Sequence, residues 1–437
     1  MEFFVFIGSL FFLLLMGIPV AIVLMLCALV LLWFIDMFDP LLLAQQMLTG
    51  ADSFILTAVP FFMLAGEIMK EGGISSRLIA FGQVVVGRFN GGMGYVAILA
   101  SMLFAGLSGA AIADVAALGA VLIPMMVKCG YNKPRSTGLI CASALTAPII
   151  PPSIPLIILG VTVNLSIGKL FIMGIAPGVC LGIILMVVWY FVVKRDGYHD
   201  RVVITGKEAV KTFFEAIPAL LLPIIIIVGI RFGIFTPTEG GAVAAVYAFV
   251  VATCVHRELK IKDCPRIFYN AVRTSAIVMF LVSTAYTIGW LITMAQVPDQ
   301  IVELLKDLVS NPFLLLVVLN VVFLVLGMVM DITPIILIFA PVFYPLVNAA
   351  GIDPYYFALL MVINLSIGLI TPPMGSVLFV GCSVSKLPIT KLVKGILPFL
   401  FAELAYLVLC ILCPQIITVP AEWMMGCLLY TSPSPRD

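Results

Sequence analysis

The sequence contains few charged residues and almost no histidine. Asp, Glu, Lys and Arg make up 10% of its 437 residues, whereas 63% are apolar. So small a polar content does not cover the surface of a soluble globule of this size, which excludes a water-soluble fold. The two histidines, His199 and His256, lie in charged loops. Their number and position exclude a histidine-based metal site or catalytic triad within the apolar segments.

Long apolar runs dominate the chain instead. Runs of roughly 17–25 residues recur from end to end, which is the length that crosses a hydrocarbon core as an α-helix. Strands of a membrane barrel would be about half as long and would alternate in polarity. The mean hydropathy of +1.24 agrees with this pattern. We therefore predict an all-α, polytopic membrane protein, whose first span lacks a basic region and a cleavage site and is not removed.

The last residues differ in character from the rest of the chain. From Cys427 the tail reads Cys-Leu-Leu-Tyr-Thr-Ser-Pro-Ser-Pro-Arg-Asp. This string resembles the translation of a common sequencing adapter and matches no element of a helical membrane fold. We therefore expect residues 424–437 to be non-native, with the true end at or shortly after Trp423.

The chain repeats itself after 221 residues. This shift superimposes the pair Pro151-Pro152 on Pro372-Pro373 without a gap. It also aligns further helix-breaking or small residues: Gly106 with Gly327, Pro124 with Pro345, Gly130 with Gly351, Gly160 with Gly381, Gly174 with Gly395, and Pro177 with Pro398. Apolar composition alone does not explain so many ungapped matches, so we predict an internal duplication.

Each half is predicted to contain a re-entrant helical hairpin followed by a helix that the Pro-Pro pair breaks. The first repeat covers residues 1–193, with its hairpin over about 92–127 and its broken helix over about 136–163. The second covers 212–423, with its hairpin over about 312–348 and its broken helix over about 355–381, and residues 194–211 form a cytoplasmic linker. Segments 75–88 and 298–310 are expected to lie along the membrane interface. Further spans are expected near 3–16, 19–35, 54–70, 170–193, 213–232, 238–256, 269–292 and 397–419, although Gly17-Ile-Pro19 also allows one kinked helix in place of the first two.

The distribution of basic residues predicts the orientation. If each hairpin returns to the face from which it enters, most Lys and Arg residues, including Arg135, Lys194 and Lys391, lie on one face. The positive-inside rule makes this face cytoplasmic. The two hairpins then enter from opposite faces, so we predict inverted repeats, the arrangement of alternating-access transporters. The formal net charge of +1 gives no support for a nucleic-acid partner.

The hairpin tips and the Pro-Pro breaks form the predicted site. The spacing from tip to break is the same in both halves, so two inverted tips and two breaks can meet near the midplane. Half-helix N-termini there offer N–H groups to an anion, whereas unwound carbonyl groups coordinate Na⁺. Hydroxyl side chains at the breaks are candidate substrate ligands, although a Ser or Thr in a membrane helix also bonds to its own i−4 carbonyl. The hydroxyl candidates are Ser108, Ser153, Thr371 and Ser376. The hydroxyl of Thr146 and the amide of Asn364 are weaker candidates.

Asp331 and Asp114 are interpreted as the acids most deeply embedded in apolar sequence, where an unpaired charge costs several kcal/mol. We interpret Asp331, next to Thr333 at the second tip, as a cation ligand. For Asp114, a helix cap or an anchor for a neighbouring backbone group is an equal alternative to a supporting role in the site. Thr236-Pro237-Thr238-Glu239 is predicted to cap the helix that it opens.

Five motifs together resemble a known family. They are Gly-Leu-Ser-Gly-x4-Asp at 106–114, Ile-Pro-Pro-Ser at 150–153, Phe-Thr-Pro-Thr-Glu at 235–239, Met-Asp-Ile-Thr-Pro at 330–334 and Thr-Pro-Pro-Met-Gly at 371–375. Each motif is weak alone. In this order, over nearly all of residues 1–423, they resemble the large, DctM-like membrane subunit of tripartite ATP-independent periplasmic (TRAP) transporters.

The resemblance implies an elevator-type transporter of the bacterial inner membrane. Its implied partners are a separate small four-helix membrane subunit and a soluble periplasmic substrate-binding protein. The family imports carboxylate solutes with a sodium gradient, so Na⁺ is expected as the coupling ion, without another metal or a cofactor. Some relatives have Ser where Ala110 stands, which puts a second hydroxyl ligand at that tip in doubt. The sodium ligands expected on this resemblance are Ser108, Gly109, Thr146, Pro151, Asp331, Thr333, Thr371 and Gly375.

We therefore predict sodium-coupled import of an organic acid anion, either a dicarboxylate or a sugar acid. The alternative is a stand-alone divalent-anion/sodium symporter or ion antiporter that needs no binding protein. An intramembrane protease is disfavoured, because no span carries a histidine or a Ser-Lys pair and only two acids are expected to lie deep, in different repeats. The protein is thus predicted not to be an enzyme.

Overall fold

The computed structural model describes residues 2–198, 200, 201, 206–296, 300, 303 and 306–429. These residues form helices and no β-strand, which confirms the all-α prediction for the described part of the chain. Seven of the described helices are long and apolar enough to cross a membrane, or up to eight if the bent pair Pro40–Ala51 and Phe54–Glu71 counts as one span. The prediction of a multi-span membrane protein is therefore confirmed.

The helices of the first half are, in chain order, α1 Glu2–Leu15, α2 Val20–Phe34, α3 Pro40–Ala51, α4 Ala58–Glu71, α5 Ile74–Val86, α6 Gly92–Ser108, α7 Ala111–Lys128, α8 Lys133–Ser143, α9 Ile154–Thr162 and α10 Ile167–Asp196. Those of the second half are α11 Gly206–Arg231, α12 Pro237–Val250, α13 Cys264–Met294, α14 Lys306–Val309, α15 Pro312–Gly327, α16 Ile332–Ala349, α17 Pro354–Gly368, α18 Ser376–Ser385, α19 Ile389–Leu412 and α20 Gln415–Leu429.

Capping side chains and prolines define where many of these helices begin. The Asn132 side chain accepts a hydrogen bond from the amide of Arg135 at the start of α8, and Pro134 occupies the first turn. Asp353 accepts one from the amide of Tyr356 at the start of α17, followed by Pro354. An acceptor side chain followed by a proline is a strong signal for a helix start. These two caps stand at positions that the predicted repeat aligns.

The N-terminal region contains separate helices rather than one kinked span. Helix α1 ends at Leu15, the chain turns at Gly17, and α2 packs back against α1. Helix α3 was not predicted, although Asp39 caps it and Pro40 opens it. A break of 56° separates α3 from the 3₁₀ turn and helix that follow it.

Several predicted boundaries are corrected by the helix bounds. Helix α10 continues to Asp196 and α11 begins at Gly206, because both helices extend beyond the membrane-length runs, so the linker is shorter than 194–211. The predicted closing span over 397–419 is instead α19, and a separate helix, α20, follows Pro414 and continues through residue 429, beyond Trp423. Residues 430–437, and most of the predicted interface segment 298–310, lie outside the described residues.

Two groups of helices pack against each other. The first group comprises α2, α3, α4, α12 and α13, and we call it the scaffold group. The second comprises the two hairpins and the two broken helices, α6–α9 and α15–α18, and we call it the hairpin group. Within the hairpin group the halves interlock, since α18 packs on α7 and α16 packs on α9. Helices α4 and α13 of the scaffold group contact the hairpin group.

Candidate functional site

Ser108 and Gly109 form the turn of the first hairpin. Gly109 has a φ of 62°, in the left-handed region that favours glycine. A methyl group on its Cα would lie 2.7 Å from the carbonyl oxygen of Pro152 and 3.1 Å from the amide nitrogen of Ile154. The first tip therefore packs directly on the Pro-Pro break of its own half.

Asp114 positions the Ser108 hydroxyl. This hydroxyl donates a hydrogen bond to Asp114 Oδ1 and accepts one from the amide of Ala110 at 3.3 Å. Asp114 is fully buried in the first turn of α7. Ala110 precedes α7 without a side-chain cap, so the interpretation of Asp114 as a capping side chain is wrong. Asp114 Oδ2 is buried and has no hydrogen-bond partner among the described residues.

The other polar residues of the first break are used locally. The Ser153 hydroxyl caps α9 by accepting from the amide of Leu156 at 3.3 Å, and it donates to the carbonyl of Pro148. Thr146 donates to the carbonyl of Ser143 at 2.8 Å. Both hydroxyls thus stabilise the break itself. The carbonyl of Pro151 faces the first hairpin at Gly106.

The second tip differs from its prediction. Asp331 caps α16, and its Oδ1 accepts a hydrogen bond from the amide of Ile332 at 2.9 Å. Its side chain is exposed, because Asp331 lies in the turn before α16 and not within an apolar helix. Thr333 follows, half-buried, in the first turn of α16.

The second break resembles the first in its contacts. The amide of Met374 donates to the carbonyl of Met328 at 3.2 Å, so the tip and break of the second half also touch. Thr371 donates to the carbonyl of Ile367 at 2.7 Å, and its carbonyl accepts from the amide of Gly375 at 3.4 Å. The Ser376 hydroxyl is different, since its buried oxygen has no hydrogen-bond partner among the described residues.

Asn364 holds the second broken helix to the second hairpin. Its side-chain nitrogen donates to the carbonyl and to Oδ1 of Asn320 in α15, at 2.8 and 2.7 Å. Both residues are buried. Asn364 is therefore a link between α15 and α17, and within the described ranges no hydrogen bond joins it to Ser108 or Thr371.

A cleft of about 90 Å³ separates the first tip from the scaffold group. Ser108 and Ala110 line it from the hairpin, and Ile154 lines it from the start of α9. Glu67 and Lys70 line it from α4. The starts of α7 and α9 both border the cleft, and helix N-termini favour an anion.

Glu67 and Lys70 were not predicted as site residues. Lys70 Nζ lies 3.6 Å from Glu67 Oε1, and the two side chains are 42% and 24% exposed, so neither charge is sequestered. Glu67 Oε2 is buried and has no hydrogen-bond partner in the described part of the chain. The sequence did offer a signal for this pair, because Glu67 and Lys70 are opposite charges three residues apart at the end of the apolar run that begins at Ala58.

A larger cavity, of about 700 Å³, lies at the other end of α9. Its lining includes Asp52, Asn164 and Trp290 and none of the predicted site residues. Helices α9 and α13 contribute to both cavities: Ile154 and Ala271 line the smaller one, whereas Val161 and Val282 line the larger one. The two cavities therefore lie toward opposite ends of α9 and at different positions along α13.

Glu403 is a buried acid that the sequence analysis missed. It lies in α19 with no exposed surface, and both of its carboxylate oxygens lack a hydrogen-bond partner among the described residues. Among the described residues, Asp114 and Glu403 are the two acids whose side chains are fully buried. The position of Glu403 within the apolar run of α19 was visible in the sequence.

The membrane-length helices and the breaks between them are those of a multi-span membrane protein. The family model described as "Tripartite ATP-independent periplasmic transporter, DctM component" matches residues 7–416. The chain belongs to this family, and the resemblance drawn from its five motifs is confirmed.

Curated relatives share this match over nearly their whole length. A "Putative TRAP transporter large permease protein" of Haemophilus influenzae is 48% identical over 409 residues, 94% of this chain and 96% of the relative. The "2,3-diketo-L-gulonate TRAP transporter large permease protein YiaN" of Escherichia coli is 47% identical, over 96% of this chain and 99% of the relative. The "Sialic acid TRAP transporter large permease protein SiaM" of Vibrio cholerae is 39% identical, over 88% and 90%.

A solved structure shows the same fold at low sequence identity. The YdaH transporter of Alcanivorax borkumensis matches with a TM-score of 0.61 at 14% identity, covering 90% of this chain and 88% of that chain. This similarity supports the helical architecture and carries no information about the substrate.

Proposed function

We propose that this chain is the large membrane subunit that imports an organic acid anion across the bacterial inner membrane. A sodium gradient drives the import, and a small four-helix membrane subunit and a periplasmic binding protein are its partners. Relatives at 47% and 39% identity carry names that specify 2,3-diketo-L-gulonate and sialic acid, both of which bear a carboxylate. The observation that carries the proposal is the cleft in which Lys70 and the starts of two helices surround the Ser108 tip.

Lys70 is the residue assigned to the substrate carboxylate. It is partly exposed in the cleft, and its contact with Glu67 is longer than a hydrogen bond. A carboxylate that enters the cleft can replace this weak contact with a charge-assisted hydrogen bond. Ser108 and the positive ends of α7 and α9 would stabilise the same negative charge.

The sodium ions are assigned to the breaks. Na⁺ in broken-helix transporters is held by unwound backbone carbonyls and by oxygen-bearing side chains. Asp114 Oδ2 and Ser376 Oγ suit this role, because both are buried oxygens without a hydrogen-bond partner among the described residues. Asp331, Thr333 and the carbonyl-rich turns around both Pro-Pro pairs would provide the other ligands.

The two cavities support alternating access by an elevator-type motion. They lie at opposite ends of α9 and share α13 as a wall. If the hairpin group slides along α13, the first tip moves from one cavity toward the other. The tips and breaks would move as one body, because each tip is packed on its own break and the halves interlock. The inverted repeats are part of this proposal.

Uptake into proteoliposomes tests the proposal. The chain is reconstituted with its small subunit, and radiolabelled sialic acid, 2,3-diketo-L-gulonate or a C4-dicarboxylate is supplied with the cognate binding protein. We expect uptake to require both an inward sodium gradient and the binding protein. Uptake that requires neither would refute the proposal and favour a stand-alone symporter.

The role of Lys70 is tested in the same system. Lys70→Gln is expected to raise the KM for the anion roughly tenfold, because a charge-assisted hydrogen bond contributes about 1.5–3 kcal/mol. Lys70→Arg keeps the charge and should retain most of the affinity. Lys262→Gln, at an exposed site away from the cleft, is the matched control. An unchanged KM in Lys70→Gln would contradict the assignment while leaving the transport function standing.

A further inference from the structure

We propose that a basic cavity at the starts of α8 and α19 binds a phosphate group, carried by an anionic phospholipid headgroup or by a soluble phosphate compound. The cavity has a volume of about 560 Å³. Its charged lining consists of four basic side chains and one acidic side chain: Arg135, Arg195, Lys391, Lys394 and Asp196. The excess of positive charge calls for an anion with more than one negative charge or several acceptor oxygens.

The basic residues of this cavity come from distant parts of the sequence. Arg135 lies near the start of α8, Arg195 near the end of α10, and Lys391 and Lys394 near the start of α19. The positive-inside rule accounts for many cations on one face of the membrane. It does not require cations of three helices to line one cavity. Their convergence is therefore a property of the tertiary structure and indicates a ligand.

The cavity combines a fixed guanidinium group with mobile ammonium groups. Arg135 is held by Asp196, at 3.6 Å, and by the carbonyl of Gly395, at 2.9 Å, and its side chain is only 13% exposed. Lys391 and Lys394 are exposed, and neither has a carboxylate within 4.0 Å in the part of the chain that the structure describes. Such free ammonium groups are suited to phosphate oxygens.

Two further features favour a phosphate at this place. Helices α8 and α19 both begin at the cavity, so their positive ends add to the field of the side chains. Tyr198 also lines the cavity, and its ring lies 4.5 Å from that of Tyr131 and 6.1 Å from that of Trp189. Clusters of Tyr and Trp are typical of the headgroup level of a membrane. A lipid phosphate at this level would reach the four cations.

Binding measurements on the purified full-length chain test this site and identify the source of the phosphate. In one arm, the chain in nanodiscs of phosphatidylcholine receives increasing phosphatidylglycerol, and retained lipid is counted by native mass spectrometry. In the other arm, the detergent-solubilised chain is titrated with inorganic pyrophosphate, and binding is measured by calorimetry. The test variant is Lys391→Gln/Lys394→Gln. The control Lys260→Gln/Lys262→Gln removes two exposed lysines of the same face away from the cavity.

We expect the test variant to weaken binding roughly tenfold or more, since each cation near an anionic surface contributes about 1 kcal/mol. The control should bind like the wild type, and Lys391→Arg/Lys394→Arg should restore most of the binding. A loss in the phosphatidylglycerol arm assigns the site to a lipid headgroup, and a loss in the pyrophosphate arm assigns it to a soluble compound. Equal binding by the test and control variants in both arms, or no binding by the wild type, would overturn the proposal.

Discussion

The contact between the first hairpin tip and the first Pro-Pro break predicts the effect of Gly109→Ala. Gly109 combines a φ of 62° with a close approach to the carbonyl oxygen of Pro152. A methyl group at this position would lie 2.7 Å from that oxygen. Because the oxygen belongs to the backbone, it cannot turn away as the end of a flexible side chain would.

Two terms determine the size of the effect. A non-glycine residue in the left-handed region costs about 1–2 kcal/mol. An ordinary carbon–oxygen contact needs at least about 3.3 Å, so the tip and the break must separate by about 0.6 Å, and overpacking of this kind costs about 1–3 kcal/mol. Gly109→Ala should therefore lower the free energy of unfolding by about 2–5 kcal/mol.

Gly351→Ala provides the matched control. Gly351 has a φ of 69°, and an added methyl group would meet no atom within 4 Å. It therefore carries the cost of the left-handed region without the contact, about 1–2 kcal/mol. The unfolding of both variants is followed in detergent by the reactivity of the buried thiols of Cys27, Cys141 and Cys410, after the exposed thiols are blocked.

Transport distinguishes the two variants more strongly than stability does. Displacement of the tip from the break also moves the Ser108 hydroxyl, and small misplacements at a functional site reduce rates by an order of magnitude or more. We expect Gly109→Ala to lower the rate of uptake at least about tenfold, whereas Gly351→Ala should transport at nearly the wild-type rate. Equal stability and equal uptake in the two variants would refute the close packing of tip and break.

Three further predictions concern other regions. Thr236→Ala removes the reciprocal cap that Thr236 and Glu239 form at the start of α12 and should lower the free energy of unfolding by about 1 kcal/mol. Thr236→Ser should retain the cap. Equal melting temperatures of the two variants would contradict this role of Thr236. Burial lowers the pKa of His256, and the nearby Arg77 guanidinium lowers it further, so the unfolded chain binds this proton more tightly than the folded one. The free energy of unfolding should therefore fall as the pH drops from about 6.5 through the lowered pKa. His256→Gln should lose this slope in a pH series of melting temperatures. Glu403→Leu removes a buried carboxyl group without a described partner and should stabilise the protein by about 1–3 kcal/mol, whereas a lower melting temperature would reveal an unseen partner.

The helical elements follow mostly from the sequence, because their signals are local. Apolar length predicted the spans, and Pro-Pro pairs marked the points at which no helix continues. The capping of α12 by the segment Thr236–Glu239 was predicted and is confirmed, and the structure shows it to be a capping box. Helix α3 was missed because its twelve residues are too few for a span, although Asp39 and Pro40 mark its start. The end of α10 was placed too early and the start of α11 too late, because both helices continue into polar sequence without an apolar signal.

The candidate site was predicted only in part. Ser108 and Asp114 were singled out, but their hydrogen bond depends on the turn at Gly109 and not on their spacing alone. Asp331 was interpreted as embedded in apolar sequence, and the structure places it in the turn before α16, where its side chain caps that helix. Hydropathy averaged over neighbours does not distinguish a residue inside a helix from one just before it.

The sequence by itself determined the all-helical membrane class, the positions of the breaks and the family. These properties depend on residues close in the chain, through apolar length, missing backbone donors and motif order. Only the tertiary structure decided which polar groups share a space. Lys70 reaches the Ser108 cleft from α4, and four cations of three helices meet in one cavity, because helix packing brings together residues that no local pattern connects. The same packing leaves Glu403 buried without a described partner, since burial depends on the neighbours of α19 in space and not in sequence.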